Sequence, residues 1–328
     1  MINRVLSKPR KIRVSIGTAT VLGVEFVKLE CAPRTAYLQT YYNGRCMANC
    51  RFCAQARNSN AKIDRIARGL YLPYNTDLVV ERLNKAMDNG IFKRICIQTI
   101  IYDGMLNDLF WLVGNLDGKI SVSLPPQRRE ILEELKDEGV DKIVIPLDGV
   151  TEEIFDEIKG KKAGSPYRWE KHWSGLKKAV EVFGKGNVGT HLIVGLGETQ
   201  EEFAIIIQKL HDLGIYSALF AYTPIPETNL NKEAPTLGFY RKIQLIHYLI
   251  SEDISHYNRM EFEDGGIVEF GIEREFLEEI IDSGEPFTTK GCPDCNRPFA
   301  TERVNLPYNF PRKPDKNELK KIMNELNE

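Results

Sequence analysis

Cys46, Cys50 and Cys53 stand within eight residues at C-x3-C-x2-C spacing, directly after the apolar run 36–42. Deprotonated thiols so spaced can wrap three corners of a four-iron cluster and leave the fourth iron without a protein ligand. An iron open in that way is a place where a cosubstrate can bind and chemistry can begin. Zinc is the competing reading, but a structural zinc takes four protein ligands and no Cys or His follows within the next twenty residues. Inert packed thiols would stand singly on apolar faces, whereas Asn43, Gly44, Arg45, Asn49 and Arg51 surround these three. A disulfide framework fits poorly, because three cysteines leave one over and the basic residues 1–13 have no apolar secretory stretch behind them.

Two more thiols, Cys292 and Cys295, stand at C-x2-C, which suits a tetrahedral metal or a corner of an iron–sulfur cluster. Two ligands do not make a site, and the thiols left to join them are Cys31 and Cys96. A structural zinc half-site completed by Cys31 or a histidine is the plain alternative. Cys96 reads as a packed core thiol, although in a strand it would share a face with Gln98. Seven cysteines without a secretory pattern point to metal or redox work in a reducing compartment, so a cytoplasmic protein is expected.

The elements that must position these residues follow from pattern. A chain of 328 residues can bury one barrel-sized core with a smaller appendage. From residue 37 to about 226, short β-rich runs alternate with amphipathic helical segments, the pattern of successive right-handed βαβ units. Strands are predicted at 37–42, 94–100, 120–124, 142–147, 189–194 and 217–222, enough for a partial α/β barrel with its chemistry at the C-terminal strand ends. Asp77 is expected to cap a helix that stops before Gly90, another helix spans 127–137 before Gly139, and Thr199 with Glu202 forms a capping box for a helix ending before Gly214. Residues 13–27, rich in β-branched side chains and broken by Gly17 and Gly23, read as a hairpin beside the barrel. Beyond about Thr236 the pattern changes to helices at 239–250 and 274–281, an irregular Pro-rich tract at 286–314, and a polar helix at 316–327 capped by Asp315. The expected organisation is an N-terminal extension (1–34), a barrel (35–235) and a C-terminal segment (236–328). A net charge of −2 gives no field to collect nucleic acid, no apolar stretch approaches the roughly 18 residues of a membrane span, and the basic run 8–13 reads as a solvated tail.

With these residues in place, the sequence resembles the radical S-adenosylmethionine (SAM) enzymes from about Thr35 to Arg303. The resemblance implies a partial (βα)6 TIM-like barrel. It also implies a 4Fe-4S cluster on Cys46, Cys50 and Cys53 whose open iron chelates SAM, and an electron that splits SAM into methionine and a 5′-deoxyadenosyl radical. Phe52, before the third cysteine, would pack near the adenine. The glycine-bearing run after the fifth strand, with backbone at Val194, Gly195 and Gly197, would line the base, and Glu198 and Thr199 read as helix-start residues. Asp148, after the fourth strand, matches the acid that the biotin synthase branch places on the ribose, against the plainer reading of an Asx turn before a helix at Thr151. Many members bind the methionine amine with Gly-Gly-Glu on the second strand; here Gln98 and Thr99 stand in that region.

Within the family the biotin synthase-like branch fits best. Cys96 sits where biotin synthases keep one ligand of a sulfur-donating cluster, but Ser121, Ser123, Gly189 and His191 stand where its other cysteines would be. The residues 35–44 and the C-terminal Cys292-to-Pro298 segment instead resemble one subunit of the two-protein lipoyl synthase. That resemblance implies a second, auxiliary iron–sulfur cluster on Cys31, Cys292 and Cys295, with Arg297 or a serine to complete it. It also implies as partners a lipoyl carrier protein or lipoyl domain bearing octanoyl-lysine, a sister subunit, and a ferredoxin or flavodoxin. Sulfur insertion into dethiobiotin, and a metal-stabilised binding module without activity, are the alternatives. His191 and the pair Arg128 and Arg129 are further residues that could touch substrate.

Overall fold

A computed structural model describes residues 6–327. Its strands are β1 (Lys11–Ser15), β2 (Thr35–Thr40), β3 (Arg65–Ile66), β4 (Gly69–Asn75), β5 (Arg94–Gln98), β6 (Ile120–Ser123), β7 (Val140–Val144), β8 (Val188–Val194), β9 (Ile215–Ala221), β10 (Glu261–Glu263) and β11 (Gly266–Glu269). Its α-helices are α1 (Ile16–Val21), α2 (Thr76–Asp88), α3 (Met105–Val113), α4 (Arg129–Asp137), α5 (Glu152–Ile158), α6 (Trp169–Phe183), α7 (Gln200–Asp212), α8 (Leu237–Ser251), α9 (Arg274–Ser283) and α10 (Lys316–Leu326). The main sheet runs β3-β4-β1-β2-β5-β6-β7-β8-β9. Every neighbouring pair from β2 to β9 is parallel, which gives the six expected barrel strands.

Alternation along these strands decides what faces the helices and what faces the lumen. Ala36 and Leu38, Ile95 and Ile97, Ile120 and Val122, and Val188, Leu192 and Val194 all join the buried core under the helices. Their neighbours Tyr37, Gln39, Gln98, Ser123, His191, Ile193 and Phe220 face a cavity at the C-terminal ends of the strands.

Three local expectations are corrected. Residues 13–27 do not form a hairpin: β1 passes into α1, where Ser15 accepts from Thr18 N, and β1 pairs antiparallel with β2 and β4 instead. The β-branched Ile12 and Val14 alternate into the core as a strand requires, but their partner is the unforeseen Gly69–Asn75. The run 8–13 is not a solvated tail: Lys8 pairs with Asp77, Pro9 is buried and Lys11 enters the sheet, while residues 1–5 lie outside the described residues. Helix α2 is capped by Asn75, which accepts from Leu78 N, while Asp77 sits in the first turn and pairs with Lys8 at 2.8 Å. The capping box at Thr199 and the cap at Asp315 form as expected, and Glu318 makes the latter a capping box as well.

The C-terminal segment returns to the barrel. Asp294 O accepts from Thr35 Oγ1 at 3.1 Å, Asn296 Oδ1 accepts from Arg34 N at 3.0 Å, and Arg297 Nη2 donates to Leu219 O at 3.2 Å. Residues 290–301 thus bridge β2 and β9, the first and last parallel strands, and close the flank that a six-stranded barrel leaves open. Helix α10 anchors the end of this strap through Glu325, which accepts from the buried Arg241 at 2.8 Å.

Two buried histidines tie stability to pH. His247 on α8 lies 3.0 Å from both Ser217 O and Ser217 Oγ, and burial lowers its pKa to about 4, with Lys290 and Arg297 adding to the effect. His172 on α6 is pulled to about 3, first by burial and then by Lys159. Unfolded, both titrate near 6.5. The folded state keeps them neutral while the unfolded state takes up protons, so their stabilising contribution is full above about pH 6.5 and is lost as pH falls toward 4. Urea midpoints measured from about pH 7 to about pH 5 should decline, with a slope near 1.4 kcal/mol per unit for each histidine. His247→Gln should flatten that decline; an unchanged slope would refute the assignment.

Candidate functional site

The three clustered cysteines leave β2 at its C-terminal end on a loop held by the polar residues around them. Arg45 donates to Ala54 O (2.6 Å) and Ala61 O (2.8 Å), Asn49 Nδ2 donates to Ala163 O (2.6 Å), and Arg51 pairs with Glu157. Gln55 exchanges two side-chain hydrogen bonds with Gln39 of β2, at 2.7 and 2.8 Å. This fastening turns all three thiols toward one cavity of about 490 Å3. Ile101 N donates to Cys46 Sγ at 3.2 Å and Gln55 N to Cys53 Sγ at 3.4 Å. Burial raises all three thiols, Cys53 to about 11, and Lys159 opposes the rise at Cys46 and Cys50.

Asp148 lines the same cavity, and it is not an Asx cap, since Thr151 caps α5 with its own hydroxyl. Its backbone takes a positive φ of 65° and continues the sheet, donating to His191 O at 2.8 Å and accepting from Ile193 N at 2.9 Å. Its carboxylate meets Lys159 Nζ at 2.6 Å, and that ammonium also donates to Pro146 O at 2.8 Å and lies 5.0 Å from the Tyr167 ring centroid. Phe52 lines the cavity beside Ile158, Leu196 and Tyr222. His191 faces the cavity with its ring edge on Phe220, held neutral to about pH 4 mainly by burial. Gln98 and Thr99 line it too, whereas Arg128 and Arg129 do not, and Arg129 pairs with Glu181 on the helical exterior.

The glycine run behaves differently from expectation. Val194, Gly195 and Gly197 do not border the cavity. Strand alternation turns Val194 to the helices and presents Ile193 instead. The Gly195 and Leu196 N–H groups are taken by the Glu198 carboxylate, so Glu198 is a buried clamp on this turn rather than only a helix-start residue. Gly195 has φ 104°, and a Cβ there would lie 2.8 Å from Pro235 Cδ, so the glycine serves the turn's own packing. Cys31 lines the cavity wall, and its Sγ receives Asn296 Nδ2 at 3.7 Å. Cys96, read as a packed core thiol, is only partly buried, and its register partner Tyr37 places its hydroxyl 3.4 Å from Cys295 Sγ; burial, and after it Cys292 and Cys295, raise the Cys96 pKa.

Lys159, Tyr167, Ile193 and Tyr222 also line the cavity and escaped sequence reasoning. Ile193 was legible from period-two alternation alone. Lys159 just past α5 looks like an ordinary lysine at a helix C-terminus, and no local signal marks it.

Among known proteins, the Radical SAM superfamily model matches residues 41–210, more than half of the chain. The chain belongs to the radical SAM superfamily. No curated protein matches. Among solved structures the chain is similar to the FeFe-hydrogenase maturase HydG from Carboxydothermus hydrogenoformans (TM-score 0.50, 16% identity, covering 67% of this chain and 52% of that one). It is also similar to another HydG structure (0.47, 13%, 66% and 50%) and to methylornithine synthase, PylB (0.49, 12%, 65% and 62%). The chain therefore spans about half to three-fifths of the length of these proteins. At such identities the likeness speaks for fold alone, a partial radical SAM barrel, in agreement with the strand order above.

Membership makes the chain a radical SAM enzyme, which sets aside the non-enzymatic module, and it implies a 4Fe-4S cluster and SAM. The donor set of the loop suits that cluster: three thiols on one turn, two of them accepting backbone N–H bonds, with an ammonium close enough to favour thiolate. When bound, the cluster supplies the electron for reductive cleavage of SAM. The chain's own part is to exclude water with Phe52, Tyr167 and Tyr222 and to hold the Asp148 carboxylate fixed through Lys159. No helix among the described residues is long and apolar enough to cross a membrane.

Proposed function

We propose that this chain is a radical SAM sulfurtransferase, one component of a two-protein lipoyl synthase that inserts sulfur into an octanoyl chain carried on a lysine of a lipoyl domain. Cys46, Cys50 and Cys53 hold the radical SAM cluster in this reading, Phe52 and Asp148 contact SAM, and a second iron–sulfur cluster donates the sulfur. A sister subunit and a ferredoxin or flavodoxin complete the system. The observation that supports the reading is a second set of thiols on the strap, Cys295 lying 3.4 Å from the hydroxyl of Tyr37, which lines a cavity whose walls also include Leu124, Ile193 and Phe220. An alkyl chain has no acidic hydrogen for a base to remove, so it must lose a hydrogen atom outright and then meet sulfur at contact range.

Reduced protein and SAM incubated with an octanoyl-lysyl peptide, alone and with the sister subunit, should give thiolated peptide by mass and 5′-deoxyadenosine in step with it. Dethiobiotin forms the parallel arm. Product from dethiobiotin alone would replace the lipoyl reading by a biotin synthase one, and absence of sulfur from every product would end both.

A further inference from the structure

A second group of thiols lies under the cavity, inside the barrel. Cys96 projects from β5 on the lumen face it shares with Arg94 and Gln98. Cys292 and Cys295 enter from the strap, where Cys295 N donates to Cys292 O at 3.0 Å. Two hydroxyls meet these sulfurs: Tyr216 Oη stands 3.0 Å from Cys292 Sγ and Tyr37 Oη 3.4 Å from Cys295 Sγ. Tyr37 is also the register partner of Cys96 across β2 and β5. Strand β8 makes room by carrying Gly189, since a Cβ there would lie 2.3 Å from the Tyr216 ring.

One feature of this chamber is unsatisfied. The Arg297 guanidinium stacks on Phe220 at 3.8 Å and uses Nη2 for Leu219 O and Lys290 O, yet its Nε and Nη1 are buried without a partner among the described residues. Two orphaned N–H groups on a buried cation call for a strong acceptor. The Arg297 backbone N–H donates to Tyr37 Oη at 2.8 Å, and that same oxygen lies 3.4 Å from Cys295 Sγ, so the guanidinium and the strap thiols share one chamber. Zinc would require its ligands to converge on one point, and no three such side chains do so among the described residues. A cluster offers separate irons at its corners and sulfides that accept N–H bonds.

We propose that Cys96, Cys292 and Cys295 ligate a second iron–sulfur cluster within the barrel lumen, with Nε and Nη1 of Arg297 donating to its sulfur atoms, and that Cys31, which stands on the cavity wall with its Sγ against Asn296 Nδ2 and Ala32 O, is not a ligand. The inference rests on the sulfur-insertion reading for the existence of a second cluster and changes its ligand set.

The test uses the full chain carrying Cys46→Ala, Cys50→Ala and Cys53→Ala, reconstituted anaerobically, with iron, sulfide and zinc counted and Mössbauer spectra recorded. This triple variant should hold about four irons if the cluster is of the four-iron type. Adding Cys31→Ala should leave that content unchanged, and adding Cys96→Ala or the near-isosteric Cys96→Ser, with melting checked for each, should remove it. Loss with Cys31→Ala and retention with both Cys96 variants would overturn the ligand set alone. A triple variant holding no iron, or only zinc, would overturn the second cluster and with it the sulfur-insertion reading. Arg297→Gln should keep the iron and move the midpoint potential downward, because hydrogen bonds to cluster sulfur raise it; an unmoved potential would overturn the role given to Arg297.

Discussion

Cys50→Ala is expected to reduce SAM-dependent 5′-deoxyadenosine formation to background in anaerobically prepared, reduced protein. It is the cleanest of the three cysteine variants. Cys46→Ala would strip the acceptor from Ile101 N, and Cys53→Ala the one from Gln55 N, so each perturbs the loop as well as the chemistry. Cys50 Sγ takes no hydrogen bond from the described residues and is half-buried, so its removal should change stability by no more than about 0.5–1 kcal/mol. Turnover and the urea midpoint measured on the same sample separate the two effects. Parent-like deoxyadenosine output would remove Cys50 from the ligand set.

Lys159→Met should produce the largest stability loss of any single change near the cavity. The Lys159 and Asp148 side chains are only 4% and 11% exposed, and the mutation leaves a carboxylate with no counterion in that setting. Removing one partner of a buried pair costs about 3–5 kcal/mol, read as a lower urea midpoint at unchanged slope. Replacing both partners, Lys159→Met with Asp148→Leu, should restore most of it, since two apolar groups need no compensation. A single variant within about 0.5 kcal/mol of the parent would show that water reaches the pair. The double variant should still lack deoxyadenosine formation if Asp148 contacts SAM, which separates the pair's role in folding from its role in binding.

The barrel was readable from sequence because its signals are local and repeat. Each strand is a short β-branched or apolar run, most of them followed by an amphipathic helix, and the observed strands fall within three residues of expectation. The cysteine loop was readable because its ligands lie close in sequence. What escaped depended on distant partners. The strand 69–75 carries Pro73, which argues against a strand from sequence, so nothing local announced that it would pair with β1. Lys159 acquires meaning only through Asp148, and Cys96 only through a strap nearly two hundred residues later. Glycine spacing pointed to the backbone at Val194, Gly195 and Gly197, and it is the two-residue alternation of the strand that adds the Ile193 side chain to the cavity wall.

The strap that closes the flank of the barrel also sets an order of events. Its contacts with Arg34 and Thr35 join residues 262 and 259 positions apart, so they carry the loop-closure entropy of almost the whole chain and form late. On the ribosome every strand of the main sheet emerges before the segment that seals it. The nascent half-barrel therefore stands open on one side while the tail is still being made. Any inorganic group destined for the interior has its widest entrance then, and oxygen has its easiest access to the thiols in the same interval.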